Sequence, residues 1–133
     1  MNAIVREFET RLKTIQAWRH HIHQHPELSF EEVNTAKYIA DLVRSWGYEV
    51  VERIGKLGVV ASMTAGDGTK AIGLCNAGEF PAEVNARWSD LGLNGKQLLR
   101  HVWRQKDIGT FEGEFKSRVP RRGVVLIRAT SIK

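Results

Sequence analysis

Hydrophobic residues recur at every third or fourth position through the first third of the chain, which predicts two amphipathic helices. The first series is Ile4, Phe8, Leu12, Ile15, Trp18 and Ile22, and the second is Val33, Ala36, Ile39, Val43 and Trp46. Pro26 is expected to end the first helix because it lacks an amide donor. Ser29 and Glu32 have capping-box spacing, which predicts the start of the second helix, and Gly47 predicts its end.

From Tyr48 onward the apolar period changes to about two, which predicts β-strands. The strand-like segments are 48–54, 59–64, 70–75, 83–88, 96–104, 114–119 and 124–129. Two helices followed by a run of strands predict an α+β fold, in which the apolar faces of a helical hairpin cover a mainly antiparallel sheet or partial sandwich. We expect residues 1–133 to form a single compact domain.

The composition is typical of a globular protein, because 42% of the 133 residues are hydrophobic and 26% are charged. No apolar run approaches the roughly 18–20 residues that cross a bilayer, and the N-terminus lacks the apolar core of a secretory signal. Cys75 is the only cysteine, which excludes an internal disulfide. We therefore expect a cytoplasmic protein with no membrane partner.

The net charge of +5 lies entirely in the second half of the chain. Residues 1–74 contain nine basic and nine acidic residues, whereas residues 75–133 contain eleven and six. A basic half can attract nucleic acid or other polyanions. Its basic residues are scattered, however, and only Arg121 and Arg122 are adjacent, so we predict no specific nucleic-acid partner.

Three histidines near the end of the first helix are candidate metal ligands. His21 and His25 are four residues apart and share a helical face, while His23 and His25 could act together on an extended segment. There is no His-Glu-x-x-His motif and no nearby cysteine, and Pro26 frays the helix at His25. The histidines therefore predict adventitious metal binding only, and we predict no functional metal site and no cofactor.

Other polar and aromatic residues favour structural roles. Glu31 and Glu32 would lie in the first turn of a helix, where carboxylates complement the helix dipole. Trp88, Trp103, Phe111 and Phe115 could stack on sugar rings, but their strand positions favour burial in the core. No serine, cysteine or histidine is paired in a way that indicates a nucleophile and its base.

The segment Trp18–Glu32, with the sequence WRHHIHQHPELSFEE, resembles the beginning of the hippurate hydrolases and N-acyl-amino-acid amidohydrolases. The resemblance continues through 45–50, 54–60 and 70–74 and covers roughly residues 5–74. These enzymes are metal-dependent amidases of the aminoacylase/carboxypeptidase superfamily. Their metal ligands and general-base glutamate lie in later motifs that nothing after residue 75 matches, so the resemblance implies no catalytic residue here.

Three segments of the second half, 88–93, 102–111 and 119–128, resemble the end of the α-galactosidases (melibiases). That family has a (β/α)8 barrel followed by a C-terminal antiparallel β-sandwich, and residues from about 71 to 133 resemble the last strands of the sandwich. The catalytic aspartates of the family lie in the barrel. The resemblance therefore implies that Asp90 and Asp107 are turn residues rather than catalysts.

Ala71–Leu74 fits either family, which places a join within Ala71–Asn76, between an amidohydrolase-like segment (1–74) and an α-galactosidase-like segment (75–133). Natural fusions usually join whole domains through exposed linkers. We therefore interpret the chain as an artificial or recombined chimera without evolved catalytic function. The alternatives are a residual amidase or α-galactosidase, or a weak carbohydrate- or polyanion-binding module. Unpartnered apolar surface on each fragment predicts a homodimer or higher oligomer.

Overall fold

The computed structural model describes residues 2–133. Met1, the first residue of the predicted domain 1–133, lies outside the described residues. The elements are α1 (Ala3–Gln24), α2 (Val33–Ser45), β1 (Glu49–Ile54), β2 (Gly58–Thr64), β3 (Lys70–Asn76), β4 (Ala82–Arg87), α3 (Trp88–Leu91), β5 (Lys96–His101), β6 (Lys106–Glu112), β7 (Glu114–Val119) and β8 (Val124–Ser131). The predicted α+β class is confirmed.

Both helices end where the sequence predicts. α1 ends at Gln24, two residues before Pro26. After α2, Gly47 adopts the left-handed conformation with φ +90°, and its amide donates to the carbonyl of Arg44 at 3.0 Å. Glycine reaches this conformation without the steric cost that a Cβ imposes, and it closes the helix by pairing a terminal carbonyl.

The predicted capping box at the start of α2 is wrong. Neither Ser29 nor Glu32 caps the helix through its side chain. Glu27 does so instead, because one of its carboxylate oxygens accepts from the amide of Asn34 at 2.8 Å and the other from the amide of Thr35 at 2.7 Å. Partial burial opposes ionisation of Glu27, but these hydrogen bonds outweigh it and lower its pKa.

Eight strands form two antiparallel sheets. The larger has the order β1-β2-β3-β8-β5-β6, and β4 and β7 pair separately. β3 lies inside the larger sheet, where Val60 of β2 pairs with Leu74 on one edge and Val125 of β8 pairs with Leu74 on the other. The predicted join therefore lies within a strand that has a neighbour on both sides.

Two predicted strands lead into elements that the sequence did not predict. The segment predicted as 96–104 ends at His101, and the chain turns through 102–105 into β6, a strand that the period did not predict. Gln105 in this turn has φ +49°. Trp88 begins α3 rather than ending a strand. Both differences arise at tight reversals, where turn geometry overrides the alternation of apolar residues.

The main core lies between the two sheets. Its buried apolar residues come from both sheets and α3, namely Val60, Ile72, Leu74, Val84, Ala86, Trp88, Leu91, Leu99, Phe115, Val119, Ile127 and Ala129. Alternate residues of β2 and β3 point to the opposite face, where Val59 and Cys75 pack against Ala40 of α2. The molecule therefore has three layers, with the large sheet between α2 and the small sheet.

α2 covers the sheet, as expected, but α1 does not bury its apolar face. No residue of α1 is buried, and Phe8 remains 61% exposed. The C-terminal half of α1 contacts Tyr38 of α2 through His21 and contacts Trp46, which follows α2, through Trp18, with ring centroids 4.1 Å and 5.3 Å apart, respectively. Among residues 2–133, no helix combines the length and apolar character that crossing a membrane requires.

Candidate functional site

An open groove of about 840 Å³ lies where the helical hairpin meets the β-sandwich. It is lined by Ile22, His23, Pro26, Glu27, Ser29, Glu79, Phe80, Arg121 and Arg122. The first five belong to the amidohydrolase-like segment and the last four to the α-galactosidase-like segment. A cavity of about 210 Å³ adjoins this interface groove and shares Glu79 and Phe80 with it.

The carboxylates of the interface groove are each hydrogen-bonded within their own wall of it. The Nε of Arg122 donates to Oε1 of Glu79 at 2.6 Å, and the Arg122 amide donates to the carbonyl of Gly78 at 3.1 Å. Glu27 is occupied in capping α2. Both carboxylates therefore accept hydrogen bonds from the protein itself, and neither is positioned as an unpaired acid or base for an incoming substrate.

Asn76, at the end of β3, organises the sandwich side of the groove. Its side chain is buried, and Nδ2 donates to the carbonyl of Phe80 at 2.8 Å and to the carbonyls of Val119 and Pro120 at 3.2 Å. Its Oδ1 accepts from the Gly78 amide at 2.9 Å. One amide thus joins the 77–81 loop to the end of β7. Sequence reasoning identified Asn76 only as part of the join, because its partners are distant in sequence.

A pair of exposed phenylalanines borders the groove and its adjoining cavity. The rings of Phe30 and Phe80 are nearly parallel, with centroids 4.9 Å apart and an interplanar angle of 6°. They are 58% and 51% exposed, respectively. Phe30 is held in the left-handed region with φ 69°. The pair presents an apolar aromatic surface beside Arg121, an arrangement that can contact flat apolar groups.

The structure brings two of the three candidate histidines together, with the His21 and His25 ring centroids 4.5 Å apart, as their shared helical face predicted. His21 stacks on Tyr38 with ring centroids 4.1 Å apart, and Nδ1 of His25 lies 2.8 Å from the His21 carbonyl, to which it donates. His23 lies in the interface groove. Within residues 2–133, no group of three or more His, Cys, Asp or Glu side chains is arranged to hold a metal ion.

The four strand aromatics divide between core and surface. Trp88 and Phe115 are buried, and Phe111 packs against them as part of the main core. Trp103 is 62% exposed because it lies in the β5–β6 turn. Core packing is therefore confirmed for three of these residues and is wrong for Trp103. Asp107 pairs with Arg100 across the same hairpin at 2.9 Å.

Glu32 is the buried charged residue that the sequence did not reveal. Its side chain is fully buried, and neither carboxylate oxygen has a hydrogen-bond partner. A Cβ placed on Gly78 would lie 4.0 Å from its Oε2. The predicted role in a first helical turn is wrong, since Glu32 precedes α2 and packs against the 77–81 loop.

Residues 55–129 match the sequence model of the α-galactosidase C-terminal β-sandwich domain. The match includes β2 and β3 and therefore begins earlier than the predicted start near residue 71. The chain belongs to this family. Its two facing antiparallel sheets are the sandwich that the family name describes, and the predicted resemblance of the second half is confirmed.

The N-terminal resemblance is also confirmed. The chain is 52% identical over 56 residues to hippurate hydrolase of Campylobacter jejuni, a stretch that makes up 42% of this chain and 15% of that relative. It is 43% identical over 47 residues to an N-acyl-L-amino acid amidohydrolase of Geobacillus stearothermophilus, covering 35% of this chain and 13% of the relative. This chain thus spans about one seventh of the length of each of these two curated relatives.

Solved structures support the sandwich fold. α-Galactosidase I of Mortierella vinacea superposes with a TM-score of 0.56 at 24% identity, over 63% of this chain and 23% of that chain. A GH27 β-L-arabinopyranosidase of Geobacillus stearothermophilus superposes with a TM-score of 0.55 at 18% identity, over 57% of this chain and 18% of that chain. At these identities the likeness shows the fold alone.

Proposed function

We propose that this chain is a non-catalytic β-sandwich module formed from pieces of two hydrolases. The observation that carries the proposal is the state of the interface groove, whose carboxylates Glu27 and Glu79 are each hydrogen-bonded to a helix start or to an arginine of the same chain. Acid–base catalysis needs a group within reach of the substrate and free to exchange its proton. Here each carboxylate is engaged within its own segment, Glu27 at the start of α2 and Glu79 with Arg122.

Hydrolysis assays test this proposal directly. The purified chain is incubated with nitrophenyl α-galactoside, with nitrophenyl β-L-arabinopyranoside, and with hippurate plus Zn²⁺ or Mn²⁺, alongside an active enzyme of each class as a positive control. We expect no rate above that of buffer. Hydrolytic activity that copurifies with the chain, and whose rate falls at least tenfold in Glu79→Gln, would overturn the proposal. It would identify the groove as an active site.

We further propose that the chain arose by recombination or deliberate fragment assembly. The support is the position of Ala71–Asn76 within β3, where a crossover leaves a strand continuous and keeps both neighbouring strands paired. Long sequencing reads through the coding region test this origin. An uninterrupted natural locus that encodes the same junction in several independent isolates would contradict it.

Weak binding of sugars or polyanions is the second candidate function, favoured by the exposed Phe30–Phe80 pair beside Arg121. Aromatic rings stack on the apolar faces of sugars, and arginine binds anions. Retention on immobilised galactose that is lost in Phe80→Ala would support sugar binding. Retention on heparin that is lost in Arg121→Gln and at high salt would support polyanion binding, and elution of the wild type with buffer from both columns would exclude both.

A further inference from the structure

The N-terminal half of α1 carries apolar residues that nothing in the described chain covers. Ile4, Val5, Phe8, Leu12 and Ile15 are between 40% and 61% exposed. The aromatic contacts that hold α1 to α2 begin only at Trp18. The α1 overhang, residues 3–15, is therefore a helix of about 13 residues whose apolar side is largely exposed and is bordered by Trp46 beside Phe8 and Ile15. Helices of this length are marginal in water unless such a face is covered.

The spacing of the exposed residues indicates what covers them. Val5, Phe8, Leu12 and Ile15 follow steps of three, four and three residues, which is the a/d pattern of a two-stranded coiled coil. A helix that covers a sheet or a broad groove carries a wider apolar stripe, whereas a narrow a/d seam fits another narrow seam. A second copy of the same seam is self-complementary, as a two-fold interface requires.

We propose that the α1 overhang is a dimerisation surface on which a second copy of this chain packs in the antiparallel orientation. Val5 of one copy then lies opposite Ile15 of the other, and Phe8 lies opposite Leu12, so that all four layers of the seam are apolar. The proposal goes beyond the absence of catalysis and is independent of it.

Charge and space both favour the antiparallel orientation. In a parallel pair the seam would continue to Arg19, which would face the Arg19 of the second copy, and like charges at a seam are destabilising. Each copy also carries a net charge of +5, and its sandwich adjoins the C-terminal end of α1, where Ile22 and His23 line the interface groove with Phe80 and Arg121. The antiparallel pair places the two charged bodies at opposite ends, whereas the parallel pair would bring them side by side.

The area available suits a weak dimer. The exposed parts of the four seam residues, of Ile4 beside them and of the neighbouring Trp46 amount to on the order of 600 Å² per copy, or about 1,200 Å² in a dimer, which is at the lower end of specific interfaces. Such an interface is expected to give a dissociation constant in the micromolar range, so the dimer should form and dissociate within accessible protein concentrations.

Analytical ultracentrifugation between about 1 and 500 µM tests the proposal. The wild type is expected to pass from monomer to dimer across this range. Leu12→Lys should remain monomeric, because it places a charge in the seam, whereas Thr10→Lys, on the exposed opposite side, should dimerise like the wild type. Far-ultraviolet circular dichroism at low concentration confirms that the sheet is intact in both variants. A wild type that stays monomeric at 500 µM, or a Leu12→Lys variant that dimerises equally well, would overturn the proposal.

Disulfide trapping tests the orientation. Cys75 is buried, so an added surface thiol is the reactive one. A mixture of Val5→Cys and Ile15→Cys should form a mixed disulfide dimer at least tenfold faster than Val5→Cys forms one with itself. The reverse preference would indicate a parallel pair. Binding of the monomer to vesicles of neutral or anionic phospholipid, without dimerisation in solution, would show that a lipid surface covers the helix and would also overturn the proposal.

Discussion

α1 and α2 have the same kind of apolar stripe, yet only α2 is part of a core. Ala40 of α2 is completely buried and packs against Val59 and Cys75 of the sheet, whereas no residue of α1 is buried. The period of a helix thus determines which side is apolar but not what lies against it. α2 is therefore fixed by the sheet, whereas the apolar side of α1 remains exposed.

A buried charge on α2 and an exposed charge on α1 should give the largest difference in stability between the two helices. Ala40→Asp is expected to lower the free energy of unfolding by about 3–5 kcal/mol, because an unpaired carboxylate would be buried against the sheet. Ala17→Asp, at an exposed site of α1, should cost less than about 1 kcal/mol. Urea unfolding at micromolar protein concentration measures both. Similar losses would mean that α1 also packs against the body of the protein.

Thiol reactivity provides a second comparison of the two surfaces. Burial under α2 raises the pKa of Cys75 from 9.0 to about 11. At pH 8 its thiolate is then about 100-fold scarcer than that of an exposed thiol, and its alkylation should be at least as much slower. An Ala17→Cys variant provides the exposed thiol on α1. Equal labelling of both sites by iodoacetamide in the folded protein would show that α2 does not protect the sheet.

Replacing Glu32, which lies just before α2, with an apolar residue should stabilise the folded protein. Its buried carboxylate has no hydrogen-bond partner, so Glu32→Met is expected to raise the free energy of unfolding by about 1–3 kcal/mol at pH 7. Glu31→Met, at the exposed neighbouring position, is the control and should change stability by less than about 0.5 kcal/mol. A loss of stability in Glu32→Met would reveal a favourable interaction of the carboxylate in the folded state.

Removing the charge of Glu27, the cap of α2, should produce the smallest loss of stability. The pH dependence of this loss identifies the charge as its cause. Because the pKa of Glu27 is lower in the folded state, its charge contributes stability above the ordinary value of 4.5, and this contribution is lost as the pH falls through the lowered pKa. Glu27→Gln should cost about 1 kcal/mol at pH 7.

That difference from the wild type should disappear in acid, where Glu27 is itself neutral. Urea unfolding between pH 3 and pH 7 provides the measurement. A cost that is the same at every pH would attribute the effect of Glu27→Gln to packing rather than to charge.

Local patterns predicted the elements of this fold well because their causes are local. The 3.6-residue and two-residue periods placed both helices and most strands, and Pro26 and Gly47 marked helix ends. The cap of α2 was mispredicted because Glu27 reaches Thr35 from eight residues away, outside the capping-box spacing. The β5–β6 hairpin was missed because its turn has no Asn-Gly or Asp-Gly signal.

The interface groove could not be predicted, because its contacts join residues that are far apart in the sequence. Arg122 and Glu79 are separated by 43 positions, as are Asn76 and Val119. The resemblances identified the two segments but gave no information on how the segments contact each other. The exposure of α1 could not be predicted either, because the period of a helix does not show whether another element packs on its apolar side.

The position of β3 has a consequence for how the protein folds during synthesis. One edge of β3 pairs with β2, which precedes it, but the other pairs with β8, at the far end of the chain. A ribosome therefore releases the helices and the first three strands well before β8 emerges, and for that time β3 is an open edge strand that can pair with other chains. By pairing with β3, β8 closes this edge and protects the first half of the protein from aggregation.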